Sequence, residues 1–259
     1  MHFGMFGADD LGDGFRAQVF VGVEEHTDHE AARGGDTAPM GADLIEHRVD
    51  ITRSHPASVR TRRKCRSSPV ALLQNLGMEQ PSLEALIADL DHIRQSPADH
   101  GVLELIVRRP AEGMRETLET GELNHSDGLA GDTWNLRPSR RSPDGGPHVE
   151  MQLNIMNARV IARIAQTPDR WALAGDQLFV DLDLSEANLP AGTRLAIGAA
   201  VIEVTAEPHT GCSQFSERFG AGARKFVNSE GGREVRARGI NAKVVAPGTV
   251  TRGDQITKV

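Results

Sequence analysis

Apolar residues recur at the spacing of an amphipathic helix directly after Pro81. The apolar positions are Leu83, Leu86, Ile87, Leu90 and Ile93. They follow the i, i+3, i+4, i+7 rule, and Ser82 stands where a helix N-cap would stand. A run of branched aliphatic residues over 102–108 then predicts a strand, which Pro110 stops.

Short strands separated by Gly and Pro turns fill the C-terminal third of the chain. These segments are 177–183, 193–197, 200–206, 240–245 and 255–259. Upstream of them, the pattern predicts loops over 111–148, a strand over 149–153 and a short helix over 157–165. Closely spaced short strands favour an antiparallel barrel or sandwich over βαβ units.

Residues 1–77 differ from the rest because they lack sustained apolar periodicity. A segment with so few regularly spaced apolar residues cannot bury enough surface to offset its chain entropy, so we expect a disordered arm. The basic cluster between Arg53 and Arg66 could contact nucleic acid or an acidic partner, or form part of a solvated arm. A further alternative is that Met78 is the natural start, since domain-like patterning begins directly after it.

Composition excludes several classes of protein. The chain of 259 residues has a net charge of −7, 4% aromatic residues and no Tyr, which argues against a nucleic-acid binder. It has no apolar run of ~18 residues that could span a membrane. Two cysteines cannot form a disulfide framework, and the N-terminus lacks the features of a secretory signal. We therefore expect a cytoplasmic protein.

One segment stands out chemically, namely Glu207-Pro-His-Thr-Gly-Cys212. It places a thiol on a loop directly after a predicted strand, where functional groups commonly lie. Positive charge from His209 or a nearby arginine would favour the thiolate, which is a nucleophile and a ligand for soft metals. The alternatives are that Cys212 is a small buried apolar residue and that His209 is an ordinary polar loop residue.

Residues 101–259 resemble a MOSC domain, the module found at the C-terminus of molybdenum-cofactor sulfurases. The matching pieces, taken in order, are 101–110, 127–134, 152–157, 174–180, 189–198, 208–212 and 238–254. None of them is specific alone, and the resemblance is carried by their order and spacing. It implies a mainly β (α+β) domain over 78–259, an antiparallel β-barrel with a few short helices.

The resemblance also implies a role for Cys212, which lies where the family's cysteine is expected to carry sulfur as a persulfide or to ligate molybdenum. The cofactor would be the molybdenum–pterin cofactor, molybdopterin. Its candidate binding residues are Arg238, Asn241, His209, Thr210 and Asp132, although Gly131 and Asp132 could instead form a structural turn. The persulfide role needs an exposed thiol, whereas the ligand role needs a deep cationic pocket.

The chain departs from the family at Gly211, because many members have Pro-Cys before a short helix. No desulfurase domain with a Schiff-base lysine is recognisable, since Lys64 is the only lysine before Lys225. We therefore expect a standalone module whose partner is a cysteine desulfurase or a molybdenum enzyme. Any pyridoxal phosphate would belong to that desulfurase.

Three functions stay open at this point. The chain could be a sulfur carrier or cofactor-binding module, a small molybdoenzyme that reduces N-hydroxylated compounds, or a non-catalytic interaction module that tolerates Cys212→Ala. It is therefore open whether the protein is an enzyme, either a molybdenum-cofactor-dependent oxidoreductase or a sulfurtransferase-type carrier. Residues 78–259 carry −5 of the net charge, so an anionic cofactor would require a local arginine pocket.

Overall fold

A computed structural model describes residues 79–259, which lie in one compact unit. The expectation of a disordered arm over 1–77, the basic cluster it contains and the alternative start at Met78 lie outside these residues.

The predicted N-terminal helix is two short helices, α1 (Leu83–Ala88) and α2 (Leu90–Arg94). Ser82 caps α1 as expected, because its hydroxyl accepts a hydrogen bond from Ala85 N at 3.2 Å. The division at Asp89 tightens the turn and leaves Ile87 44% exposed, although the apolar spacing placed it on the buried face.

Eleven strands form two sheets in the described part of the chain. Their bounds are β1 (Gly101–Arg108), β2 (Glu116–Leu118), β3 (Thr120–Asn124), β4 (Gly128–Leu129), β5 (Leu153–Asn157), β6 (Leu178–Asp181), β7 (Arg194–Ile197), β8 (Ala200–Val204), β9 (Ile240–Ala246), β10 (Gly248–Thr251) and β11 (Gln255–Lys258). The large sheet runs β11-β7-β8-β9-β5-β6-β1-β2, and β1 also pairs with β11. This pairing closes a seven-strand barrel, which confirms the predicted fold class.

The interior of the barrel is filled by alternate residues of its strands, as the two-residue period of a strand requires. Leu178 and Val180 of β6 point into the interior cluster, whereas Phe179 packs outside it against the helices. Both faces of β6 are therefore buried, which explains its nearly continuous apolar sequence. The small sheet β10-β3-β4 adds Leu123 and Val250 to the interior cluster.

One connection is of the βαβ type, because β5 and β6 pair in parallel. Helix α3 (Ala158–Ala165) and a 3₁₀ turn (Pro168–Ala174) form the crossover between them. Asn157 caps α3 by accepting a hydrogen bond from Val160 N at 3.0 Å. The crossover ends at Gly175, whose φ of 88° favours glycine, and the chain then enters β6. The antiparallel prediction thus holds for the other strand pairs of the described residues and fails for β5–β6.

Two other regions differ from the sequence-based expectations. Residues 111–148, predicted as loops, contain β2, β3 and β4, and the strand predicted over 149–153 is a 3₁₀ turn followed by β5. Helices α4 (Ser213–Val227) and α5 (Glu230–Glu234) were not predicted. Helix α4 is interrupted at Gly220, which has φ 88° and ψ 168°. Its phenylalanines pack on the outer face of the barrel.

Candidate functional site

Cys212 lies at the N-cap position of α4, where its side chain is exposed and its thiol is free. Gly211, next to it, is held by Asn228, which accepts from Gly211 N and donates to Gly211 O, both at 3.3 Å. A Cβ on Gly211 would lie only 2.7 Å from a methyl carbon of Val227. Proline would also lack the donated N–H, so the departure from Pro-Cys has a local structural reason.

The loop that leads to Cys212 is fixed by hydrogen bonds on both sides. Thr205 donates its hydroxyl to Glu150 O at 2.6 Å and its N–H to Asn241 O at 2.9 Å. The buried Asn241 donates its side-chain amide to Glu207 O at 3.0 Å. The end of β8 and the start of β9 therefore determine where the cysteine segment runs.

A buried ion pair lies behind this loop. Arg238 Nη1 contacts both carboxylate oxygens of Asp176, at 2.9 and 2.8 Å, and its Nη2 donates to Ala174 O at 3.1 Å. Its guanidinium carbon lies 4.9 Å from the ring centre of Phe215. Burial raises the pKa of Asp176, and the Arg238 charge opposes this shift.

His209 lies against this pair, with Nδ1 3.5 Å from Asp176 Oδ1 and its side chain only 13% exposed. Burial, assisted by the charges of Arg238 and Arg109, holds the pKa of His209 well below 6.5. His209 is therefore neutral at pH 7. The Nδ1 of His209 and the Nε of Arg238 are buried without a hydrogen-bond partner within residues 79–259.

Asp132 lies in a hydrogen-bonded network away from the loop. It is buried and accepts from Arg109 Nε at 2.8 Å and Nη2 at 2.7 Å, and from Trp134 N at 2.9 Å. Arg109 also donates to Asn154 Oδ1 at 3.3 Å, and Asn154 donates to Asn241 Oδ1 at 2.6 Å. The network thus connects Asp132 to Asn241.

A cavity of about 450 Å³ brings four of the predicted site residues together. They are His209, Thr210, Arg238 and Asn241. Arg233, Arg236 and Asn228 lie in the same wall together with Glu186 and Glu207, so the lining is polar and carries charges of both signs. Cys212 does not line this cavity, although Gly211 contacts Asn228 in its wall, and Asp132 lies outside it.

Four further arginines, here called the arginine cluster, lie near one another, and three of them approach Gly175. They are Arg109, Arg115, Arg137 and Arg218. Arg109 Nη1 and Arg218 Nη1 donate to the carbonyl oxygens of Gly175 and Leu173, at 2.8 and 2.7 Å. A Cβ on Gly175 would lie 3.5 Å from Nη2 of Arg115 and from Nη1 of Arg218.

Sequence reasoning did not select Asp176 or the arginine cluster, although Arg109 and Asp176 lie within segments of the family resemblance. The available signal was position, because both are charged residues adjacent to an apolar strand, Arg109 after β1 and Asp176 before β6. Their partners lie 23 and 62 residues away in the chain, a distance that no local pattern spans.

The fold and site define a β-barrel domain with an exposed cysteine between a strand and a helix. Residues 148–257 match the family model described as the MOSC domain, and the chain contains a MOSC domain. The resemblance over 101–147 falls outside this match. The MOSC family is related to the molybdenum cofactor.

The solved structures to which the chain is similar share little sequence with it. YuaD from Bacillus subtilis is 17% identical to the chain, with a TM-score of 0.44. The alignment covers 60% of this chain and 93% of that protein. YiiM from Escherichia coli is 19% identical, with a TM-score of 0.40, and its alignment covers 61% of this chain and 69% of that protein. YiiM from Geobacillus stearothermophilus is 13% identical, with a TM-score of 0.39, and its alignment covers 63% of this chain and 74% of that protein. No curated protein matches the chain.

The described residues fit a molybdenum–pterin cofactor in their donor chemistry. Within 79–259, no group of three or more His, Cys, Asp or Glu side chains is placed to hold a metal ion. Among the described residues, Cys212 is the one thiol, and it is accessible, so the pterin would supply the other sulfur ligands. Arg238 and His209 each leave a polar nitrogen without a partner beside the cavity.

None of the helices between residues 79 and 259 has the length and apolarity to cross a bilayer.

Proposed function

We propose that the protein serves the molybdenum cofactor through Cys212, and that it carries sulfur on this thiol. The observation that supports this function is the exposure of Cys212 at the end of a loop that is fixed in place. An exposed thiol can meet the active-site cysteine of another protein without unfolding, whereas a buried one cannot.

The transfer is a thiol–disulfide exchange in its chemistry. The Cys212 thiolate attacks the terminal sulfur of a persulfide on a cysteine desulfurase. A new S–S bond forms on Cys212 as the S–S bond on the desulfurase breaks, and the desulfurase cysteine leaves as a thiolate. No external oxidant is needed, and the persulfide on Cys212 hands its terminal sulfur to an acceptor thiolate by the same exchange.

A second candidate is a small molybdoenzyme that reduces N-hydroxylated compounds, and the polar cavity behind the loop favours it. Cys212 would ligate molybdenum, and Arg238, Asn241, Thr210 and His209 would face the pterin. The bound cofactor would supply the redox-active metal centre. Arg238 and Asn241 are already oriented by Asp176 and Asn154, which lowers the cost of ordering them on binding.

The experiment offers persulfide from a cysteine desulfurase to the full chain and measures its mass. Wild type and Cys65→Ser, the matched control, should each gain one sulfur atom, whereas Cys212→Ser should gain none. Equal gain by Cys212→Ser, or no gain by wild type, would contradict sulfur transfer through Cys212.

The same three proteins, purified from a host that makes the cofactor, are then assayed for molybdenum and pterin. The second candidate expects about one molybdenum per chain in wild type and in Cys65→Ser, and its loss in Cys212→Ser. If wild type contains no molybdenum and accepts no sulfur, both candidates are wrong.

A further inference from the structure

We propose that three arginines beside the cysteine segment form a docking surface for an acidic face of the protein that exchanges sulfur with Cys212. They are Arg140, Arg224 and Arg233, here called the cationic rim. The inference rests on the proposed function, in which Cys212 must meet the cysteine of another protein. Three features of the cationic rim support it: its position beside the cysteine segment, its exposure and its lack of carboxylate partners.

Asn228 connects two of these arginines to the end of the cysteine segment. Its side chain bonds to both the N–H and the carbonyl of Gly211, and its Nδ2 also donates to Arg224 O at 2.9 Å. A Cβ on Gly211 would lie 3.6 Å from Cγ of Arg224, so the Arg224 side chain passes the residue before the thiol. Arg233 lies in the same cavity wall as Asn228. The exposed thiol therefore has two arginines close to the residues that hold it.

The third arginine lies near the start of the cysteine segment. Arg141 Nη1 donates to a carboxylate oxygen of Glu207, the first residue of that segment. This bond ties the loop before β5 to the cysteine segment and neutralises the charge of Glu207. Arg140, next in the chain to Arg141, is exposed there.

The cationic rim is unpaired, although the domain that carries it is acidic. Within residues 79–259, none of its three arginines has a carboxylate at ion-pair distance, and all three are exposed. The nearby arginines that do have acidic partners are Arg141 with Glu207, Arg236 with Glu186 and Arg238 with Asp176. The charge left over at this surface is therefore positive.

The chain that follows the thiol has the same sign of charge. Residues 212–236 contain five Lys or Arg and three Glu, whereas residues 78–259 together carry −5. One of the three acids, Glu234, is held by Arg94 through two hydrogen bonds, at 3.1 and 2.8 Å. A local positive potential around an exposed thiol attracts a negatively charged partner surface and repels a positive one.

The arrangement favours a protein surface over a small anion. The three guanidinium groups are exposed and come from separate parts of the chain, so they do not enclose a pocket of their own. Exposed charges at the edge of an interface act mainly on the rate of encounter and on its dependence on salt. Carboxylates around the partner's cysteine would pair with these arginines and bring the two sulfur atoms together.

The experiment measures thiol–disulfide exchange between Cys212 and two peptides of opposite charge. Each peptide carries its cysteine as a mixed disulfide with thionitrobenzoate, flanked by Asp and Glu in one peptide and by Lys in the other. The Cys212 thiolate forms an S–S bond to the peptide sulfur, and thionitrobenzoate leaves as a coloured thiolate that reports the rate. All proteins are the full chain with Cys65→Ser, so that Cys212 is the reacting thiol.

The protein with no other change should react at least about threefold faster with the acidic peptide at low salt, and this preference should shrink as salt screens the charges. Arg140→Gln, Arg224→Gln and Arg233→Gln should each lower the ratio of the two rates. The ratio is the measured quantity because a change in the reactivity of the thiol itself affects both peptides.

Arg252→Gln is the matched control for these variants. It removes an exposed arginine that pairs with Glu119 at 3.7 Å, in the turn after β10, and it should keep the ratio of the unchanged protein. A ratio of one or less before any rim variant is made, or an unchanged ratio in all three rim variants, would overturn the docking surface.

Two comparisons separate this inference from its alternatives. Sulfur uptake from the desulfurase without a preference for the acidic peptide would leave the proposed function standing and overturn the docking surface. A preference without sulfur uptake would support the docking surface and contradict sulfur transfer. Nucleic acid is the other polyanion that arginines attract, so a DNA oligonucleotide and the acidic peptide with Ser in place of Cys are compared as inhibitors at equal charge. Stronger inhibition by the peptide supports a protein partner, and stronger inhibition by DNA overturns it.

Discussion

The ion pair between Arg238 and Asp176 supports the cysteine segment, and its burial has a cost in free energy. Removing two charges from water is unfavourable, and the attraction between them offsets this only when their remaining donors and acceptors are used. Here Arg238 also donates to Ala174 O and stacks over Phe215. The pair therefore holds His209 in place, and we expect it to add little to the free energy of unfolding.

His209 makes the stability of the protein depend on pH. The pKa of His209 in the folded protein lies well below 6.5. Below about pH 6.5, His209 is therefore protonated in the unfolded chain but stays neutral in the folded one. The free energy of unfolding should therefore fall as the pH drops from 7.5 to 5.5, by up to ~1.4 kcal/mol per pH unit below 6.5. Urea denaturation at a series of pH values measures this slope.

His209→Gln should flatten the slope, whereas His92→Gln, which changes an exposed histidine, should leave it unchanged. The raised pKa of Asp176 acts in the opposite direction, and it is present in all three proteins. Equal slopes in wild type and His209→Gln would contradict this account.

At this scale the sequence revealed residues with distinctive chemistry and not their partners. Cys212 and His209 could be selected from a local motif, and Arg238 and Asn241 from the family's closing segment. Arg115 carries no local signal, because its environment is produced by Arg218, Arg109 and Arg137 from three other parts of the chain. Only the folded crossover at Gly175 brings them together.

Helix α4 shows how one element can serve both the site and the core. Its interruption at Gly220 changes the direction of the chain, and the end of the helix then packs back on the cysteine segment through Val227 and Asn228. Phe215 and Phe219, before the interruption, pack with Phe226 after it in the layer outside the barrel. A straight helix could not make both sets of contacts.

Gly220→Ala should therefore destabilise the protein by about 1–3 kcal/mol, since φ 88° with ψ 168° is a region that essentially only glycine adopts. The added Cβ would also collide with the side-chain amide of Gln80. Gly113→Ala is the matched control, because its φ is 79° and no atom lies within 4 Å of the added Cβ. Thermal unfolding compares the two, and an equal loss would show that the contact with Gln80 is unimportant.

Apolar periodicity located the barrel strands β1, β6, β7, β8, β9 and β11 because their burial is regular. It missed β2, β3 and β4, which have only three, five and two residues, so their sequences are too short for a sustained alternation. It also missed α4, where Gly220 and Gly222 interrupt the spacing of the phenylalanines. Close approach to Gln80 and Pro81 is what requires these glycines, and local propensity does not encode it.

For the whole molecule, closure of the barrel depends on a short contact between distant parts of the chain. Strands β1 and β11 pair through Gly101↔Ile256 and Val102↔Gln255. A Cβ on Gly101 would lie 2.6 Å from Asp181 O, so β1 and β6 approach closely at the same point. The last strand therefore completes the core that the first strand begins.

Ile256→Ala should lower the free energy of unfolding by about 2–5 kcal/mol, because Ile256 is 1% exposed and fills the interior cluster. Val259→Ala, at a side chain that is 71% exposed, should change it by less than about 0.5 kcal/mol. Chemical denaturation measures both. Hydrogen exchange should show faster opening of β11 in Ile256→Ala, and unchanged exchange there would contradict a role in closure.

The closed barrel also limits how the protein could polymerise. A strand with unpaired backbone groups is a template for addition of another chain, and a barrel has no such edge. In residues 79–259, the strands with a free side are β2, β4 and β10, with three, two and four residues. Templates this short hold few backbone hydrogen bonds, so cross-β growth would first require the barrel to open at β11.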